Sequence, residues 1–392
     1  MVCPKIVKGK VMKKVGIYIH IPFCKQKCKY CDFTSFPCME EKFDDYFNCL
    51  SKEICEKADE LLQEELEIDT IYIGGGTPSI VPAEYIENLI KLIFNKFNVD
   101  EDAEITIEAN PGTVDSIKLK KYLNAGINRL SIGLQSTNDK LLNMLGRIHT
   151  YHEFEDVYEA ARKIGFNSIN VDLMIGLPKQ SLKDVEDALE KIIEKSPEHI
   201  SVYSLIVEEG TKMFDLIESG ELDLPSEEME REMYWKVKKV LQDNGYEHYE
   251  ISNFAKRGFE SKHNSNCWKQ HSYLGFGVAA HSYYDGIRYS NIADIKKYIE
   301  NLKSGDSVYN IIFHEKQSQE QMMKEYMLLG LRKINGVRII EFKEKFVDNP
   351  IYVFRKELNK LVEEELLEIS EDRIFLTDKG LDLANIVWME FV

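Results

Sequence analysis

The 392-residue sequence predicts an α/β fold: a partial six-stranded (β/α) barrel followed by a C-terminal helical, winged-helix-like module. Three observations lead there. Short β-rich runs alternate with amphipathic helical stretches through roughly the first half of the chain, which calls for parallel strands joined by right-handed crossovers. Within each run apolar side chains share one face and polar ones the other, whereas strands covered on both faces read as near-continuous apolar runs. After about residue 206 this rhythm stops.

In order, the strand runs are GIYIHI (16–21), TIYIGG (70–75), EITIEAN (104–110), NRLSIGL (128–134), SINVDLMIG (168–176) and HISVYSLI (199–206). Helical stretches at 40–66, 82–97, 114–125, 151–164 and 181–195 separate them. Two of these end in "NAGIN" and "KIGFN", placing Gly126 and Gly165 where a helix terminus calls for positive φ. Ile17, Ile19 and Ile21 oppose Tyr18 and His20; Ile105 and Ile107 oppose Thr106, Glu108 and Asn110. Ile132 and Leu134 oppose Ser131, Gly133 and Gln135, and Val171, Leu173 and Ile175 oppose Asn170 and Asp172. Polar groups gathered toward strand C-termini are the pattern of a barrel whose site lies at that end. A helical stretch over 226–243 and an aromatic, Gly- and His-rich passage (263–286) follow. The tail from about 315 is mostly helical, with a short strand pair around Glu371 and Asp372. The organisation expected is a barrel over 1–245, an extension over 246–310 and a C-terminal module over 311–392.

A formal net charge of −17 argues against a broad nucleic-acid or anionic-membrane footprint, and makes a structural role for the winged-helix-like tail the better expectation than DNA binding. The modestly basic stretch from Lys5 to Lys14 reads as a solvated arm. No apolar leader stands ahead of the first strand, and no run approaches the roughly 20 apolar residues of a bilayer span. A cytoplasmic protein with reduced thiols is expected. Cys3, Cys38, Cys49 and Cys55 show no ligand rhythm and read as ordinary small residues.

Cys24, Cys28 and Cys31, in "CKQKCKYC", are different. Structural zinc needs a fourth ligand, which Asp32 or His20 could supply. A [4Fe–4S] cluster normally takes four thiolates, so three leave one iron open to another molecule. This C-x3-C-x2-C spacing, in a loop after the first strand, resembles the signature of the radical S-adenosylmethionine (SAM) superfamily. There the open iron chelates SAM, and one electron splits it to a 5′-deoxyadenosyl radical. The glycines of "IGGGTPS" let backbone N–H groups approach a ligand, and Glu108, Gln135 and Asp172 end their strands on the polar face.

Read together, "YIHIPFCKQKCKYCDF", "IYIGGGTPS", "IEANPGT", "GINRLSIGLQS", "LGRIHT" and "NVDLMIGLP" resemble the family of oxygen-independent coproporphyrinogen III dehydrogenases and the related haem chaperones, over essentially the whole chain. The resemblance implies a [4Fe–4S] cluster on Cys24, Cys28 and Cys31. It implies SAM contacts at Tyr18, Tyr30, Gly75, Gly76, Thr77, Glu108, Gln135, Arg147 and Asp172, with Ile206 contributing its backbone. The dehydrogenases add a fourth cysteine where Phe33 stands and carry a longer N-terminal extension; both departures match the chaperones. "HNSNCW" resembles the chaperones' HNxxYW motif, which carries haem binding to His263, with Asn264 and Trp268 as neighbours. Cys267 replaces the motif's tyrosine, so Cys267, His271 and His281 stay open as alternative haem ligands. Trp268, Tyr273, Phe276, Tyr283 and Tyr284 are candidates to line a flat site.

Two functions of different class follow. The first is a carrier that binds haem and delivers it to haem-accepting apoproteins, with an electron donor for the cluster, no nucleic-acid partner, and room for a homodimer and a peripheral membrane contact. The second is a SAM-radical enzyme that oxidatively decarboxylates propionates of coproporphyrinogen III. The carrier is favoured by Phe33, the short N-terminus and the HNSNCW motif. A radical enzyme acting on RNA fits the acidity poorly.

Overall fold

The computed structural model describes residues 12–392, so Cys3 and most of the basic arm lie outside the described residues. Six parallel strands form its centre: β1 (Lys13–Ile21), β2 (Leu66–Gly75), β3 (Val99–Ala109), β4 (Arg129–Gln135), β5 (Ser168–Ile175) and β6 (His199–Ser204). The helices between them include α1 (Phe43–Glu60), α2 (Ala83–Lys96), α3 (Ser116–Asn124), α4 (Asp139–Leu145), α5 (Tyr151–Ile164) and α6 (Leu182–Lys195). The alternation in the sequence is obeyed. Ile17, Ile19, Ile73, Ile107, Ile132 and Val171 are fully buried in one core against the helix layer.

The sheet continues past both ends of the six strands. β7 (Glu247–Glu250) and β8 (Asn253–Ala255) add antiparallel beyond β6. β9 (Tyr273–Phe276) adds parallel to β1, followed by β10 (His281–Tyr284), β11 (Ile287–Asn291) and β12 (Ile311–Lys316). The twelve strands run in the order β12-β11-β10-β9-β1-β2-β3-β4-β5-β6-β8-β7, and the two edges do not meet, so the barrel stays open. The aromatic passage 263–286 is therefore a short helix, α7 (Lys262–Trp268), and two strands that widen the sheet.

Two boundaries differ from the sequence reading. The first helix is shorter than 40–66 because β2 begins at Leu66; its early polar residues pair at the sheet's N-terminal margin. β3 likewise starts at Val99 through an acidic stretch that propensity disfavours as strand.

A second core, from Met323 to Phe391, unites helices including α8 (Gln319–Gly330) and α9 (Ile339–Phe346) with a three-stranded sheet, β13 (Val337–Arg338), β14 (Leu367–Ile369) and β15 (Arg373–Leu376). This is the winged-helix-like module. It is fastened to the barrel by Arg332, whose guanidinium lies 4.5 and 4.8 Å from the ring centroids of Trp268 and Trp388, and by Trp235 Nε1 donating to Asp382 at 2.8 Å. Among the described residues no helix is long and apolar enough to cross a membrane.

Candidate functional site

Two adjoining cavities open at the C-terminal ends of the barrel strands. The barrel cavity, about 460 Å³, is lined by Cys24, Cys28, Tyr30, Cys31, Gly75, Gly76, Thr77, Glu108, Gln135, Arg147, Asp172 and Ile206. All but one of the SAM positions expected from sequence thus meet the three thiols around one space. The exception, Tyr18, lines the second cavity, about 550 Å³, together with His263, Cys267, Trp268, Tyr273 and His281. Asp32, Phe33, Tyr72, Gly75, Glu108 and Asn264 line both.

The thiol loop is built by local pairing. Phe23 and Cys24 pair with Phe36 and Pro37, closing the loop at its base. Lys29 N donates to Leu145 O at the end of α4 (2.9 Å), and Lys29 O accepts from Met213 N (2.7 Å). Tyr30, half-buried, packs against the cluster of Leu141, Leu145, Met174 and Met213, and desolvation pushes its hydroxyl well up from its ordinary pKa. Burial also pushes the Cys24 and Cys31 thiols up, partly offset at Cys24 by a 3.4 Å hydrogen bond with Thr77 Oγ1. Arg147 sits just past Gly146, which ends α4 at φ 78°. Its guanidinium donates to Gly133 O at 2.5 Å and to Cys28 Sγ at 3.6 Å. Among the described residues no three His, Cys, Asp or Glu side chains converge closely enough to hold one metal ion. The thiols surround a space rather than a point. Of the two fourth ligands considered for zinc, His20 is committed elsewhere: Nδ1 is 3.0 Å from Tyr18 Oη and Nε2 is 2.8 Å from Thr34 O.

The strand ends carry the predicted carboxylates. Glu108 accepts from Tyr72 Oη (2.8 Å) and Gly75 N (3.2 Å), and burial raises its pKa to about 7. Asp172 accepts from Asn170 Nδ2 at 2.7 Å, and burial raises it too. Gly75 is needed as glycine: its φ is 114°, and a Cβ there would stand 2.7 Å from the His20 ring. Gln135 adopts φ 73° at a shift of register between β4 and β5, a bulge that re-aims the strand end.

In the second cavity, His263 is anchored from three sides. Its Nδ1 is 2.9 Å from Thr70 Oγ1, its backbone N–H donates to Glu104 at 3.0 Å, and its ring centroid lies 5.3 Å from that of Tyr72. Nε2 has no hydrogen-bond partner among the described residues. Burial, with the charge of Arg129, lowers the imidazole pKa to about 4, so the ring is neutral near pH 7. Cys267 is pushed up to about 12 by burial and remains a thiol. His281 is exposed at the cavity rim, and His271 does not line the cavity. Of the aromatic cluster, Trp268 and Tyr273 line it; Phe276, Tyr283 and Tyr284 pack elsewhere.

Sequence reasoning passed over Arg129, Tyr72 and His199, which also line the barrel cavity. Strand parity was the available signal: Arg129 shares a face with Ser131, Gly133 and Gln135, as Tyr72 does with Gly74.

Fold and site together define a radical SAM protein, and the profile of the Radical SAM superfamily matches residues 18–192. That of the HemN C-terminal domain matches residues 317–383. The chain is 40% identical to Heme chaperone HemW of Bacillus subtilis, over 96% of this chain and 98% of that one. It is 39% identical to Heme chaperone HemW of Escherichia coli, over 68% and 69%. The protein belongs to the HemW family of radical SAM proteins. Its fold matches the solved structure of coproporphyrinogen III oxidase HemN from Escherichia coli with a TM-score of 0.84, at 23% identity, over 97% of this chain and 90% of that one.

Proposed function

We propose that this protein is a haem chaperone that binds haem through His263 and passes it to haem-requiring proteins. One observation carries the reading: a buried, neutral imidazole, fixed through Nδ1, turns an unpartnered Nε2 toward a cavity that shares a wall with the three-thiol cavity. A ring held through one nitrogen offers the other as a metal ligand. Cys267, protonated at neutral pH, is the weaker donor, and exposed His281 lacks a comparable anchor.

The donor set of the barrel cavity fits a [4Fe–4S] cluster on Cys24, Cys28 and Cys31 and SAM beside it. Three thiols from one loop face the glycine run Gly75–Gly76, and Arg147 donates to one thiol. Such a cluster supplies one-electron reduction of SAM. Glu108 and Asp172 offer acceptor oxygens, Gly76 N and Thr77 N are spent on Ile21 O and Phe23 O, and Tyr30 lines the cavity from the thiol loop. Decarboxylation of coproporphyrinogen III is the second reading; Phe33, 64% exposed between the cavities where that enzyme's motif has a fourth cysteine, speaks against it.

The test is a haem titration of the anaerobically reconstituted protein, followed by desalting and an absorption spectrum. One haem retained per chain, lost in His263→Ala, supports the reading. Absence of retained haem, with turnover of coproporphyrinogen III, replaces it with the second.

A further inference from the structure

Arg129 opens β4, faces the barrel cavity and is only 3% exposed. Among the described residues its guanidinium makes no hydrogen bond and no ion pair, and Nε is buried without a partner. The other inward-lying arginines are engaged. Arg147 holds Gly133 O, Arg162 is 2.7 Å from Glu198, Arg288 pairs with Glu325, and Arg332 lies between two tryptophans.

Glu108 and Asp172, which line the same cavity as Arg129, take their hydrogen bonds from neutral donors: Tyr72, Gly75, Asn170 and Ser131. His199 and His263, also within its field, are neutral. Burying an unpaired guanidinium is costly, and its planar fork of donors matches a carboxylate.

We propose that Arg129 is the recognition residue for a carboxylate of the molecule that occupies the barrel cavity. Two sources supply that chemistry: the methionine carboxylate of SAM, or a propionate of a tetrapyrrole reaching in past Tyr72 and Glu108 from the adjoining cavity. The second source rests on the haem reading above; the first does not.

The test uses the full-length, anaerobically reconstituted protein, as wild type, Arg129→Gln and Arg129→Lys. Equilibrium binding is measured for SAM, for haem and for haem dimethyl ester, whose propionates carry no charge. If a propionate is the partner, wild type prefers the free acid, and Arg129→Gln abolishes that preference by weakening haem about tenfold or more while SAM is unchanged. If SAM's carboxylate is the partner, Arg129→Gln weakens SAM by a similar factor and leaves the acid-to-ester ratio alone. Unchanged SAM affinity together with an unchanged acid-to-ester ratio overturns the assignment. Should Arg129→Gln not fold, Arg129→Lys keeps the charge but not the fork, and the same two readouts decide. A wild type that binds no haem overturns the haem reading, and the SAM arm still tests Arg129.

Discussion

Thr70→Val probes the proposed haem site without touching its proposed ligand. Thr70 is fully buried, and its Oγ1 stands 2.9 Å from His263 Nδ1. If Nε2 binds iron through its lone pair, Nδ1 carries the proton and donates to Thr70. Valine has nearly the same shape but accepts nothing. The hydrogen bond is lost and a buried N–H is left unpaired, at about 1–3 kcal/mol. Loss of the outer partner of a metal-bound histidine typically weakens the metal by about 10–100-fold. The ring itself should stay in place, because the tilted ring of Tyr72 packs against it and Glu104 holds the N–H groups of Lys262 and His263. The assay is haem titration followed by absorbance, with thermal unfolding as the control for fold. Expected is a loss within that range in Thr70→Val, recovered in Thr70→Ser, which restores the hydroxyl. Wild-type affinity in Thr70→Val would refute the reasoning, as would equal losses in both variants.

Three further outcomes are expected. Cys24→Ser, Cys28→Ser and Cys31→Ser should each abolish the cluster, read as iron and sulfide content; full content in any one of them removes that residue from the ligand set. Glu108, raised to about 7, holds its proton in the fold more tightly than unfolded, so its stabilisation is complete below about pH 4.5 and is lost as pH rises through 7. The difference in unfolding free energy between wild type and Glu108→Gln should therefore fall by at most about 3 kcal/mol between pH 4.5 and 8 in SAM-free protein, and a flat difference contradicts the raised value. Tyr46 Oη donates to His20 O at 2.7 Å and accepts from Val278 N at 3.2 Å, joining α1 to β1 and the sheet extension. Tyr46→Phe should lower urea stability by about 2–4 kcal/mol with the slope unchanged, since two buried backbone groups lose their partner.

The barrel was legible because its signals are local. An amphipathic strand writes its two faces into alternate residues, so Glu108, Gln135 and Asp172 could be placed on one face before any coordinates. The same rule applied one or two residues earlier would have delivered Arg129, whose charge at a strand start looks like surface until the neighbouring strands are in place. The three thiols could be grouped from spacing alone, and they line one cavity. The sheet extension was not legible: β9 and β10 are four residues each, β9 with a glycine inside it, and they are strands only because β1 leaves an edge to be paired.

The separation of Tyr18 from most of the other proposed SAM positions, Gly75 and Glu108 excepted, is a long-range effect of the same kind. Tyr18 alternates correctly with Ile17 and Ile19, but which cavity it meets is decided by what stands in front of it. There the Asp32–Phe33 turn of the thiol loop divides the interior, and His20 ties the turn to β1 by bonding Thr34 O on one side and Tyr18 on the other. His20 in turn fits only because Gly75 has no side chain. The wall between the two cavities thus depends on residues 18, 20, 34 and 75 at once, drawn from two strands and a loop. A change at any of them should reach both cavities, whereas a change at Thr70 or Asp172 should reach only one.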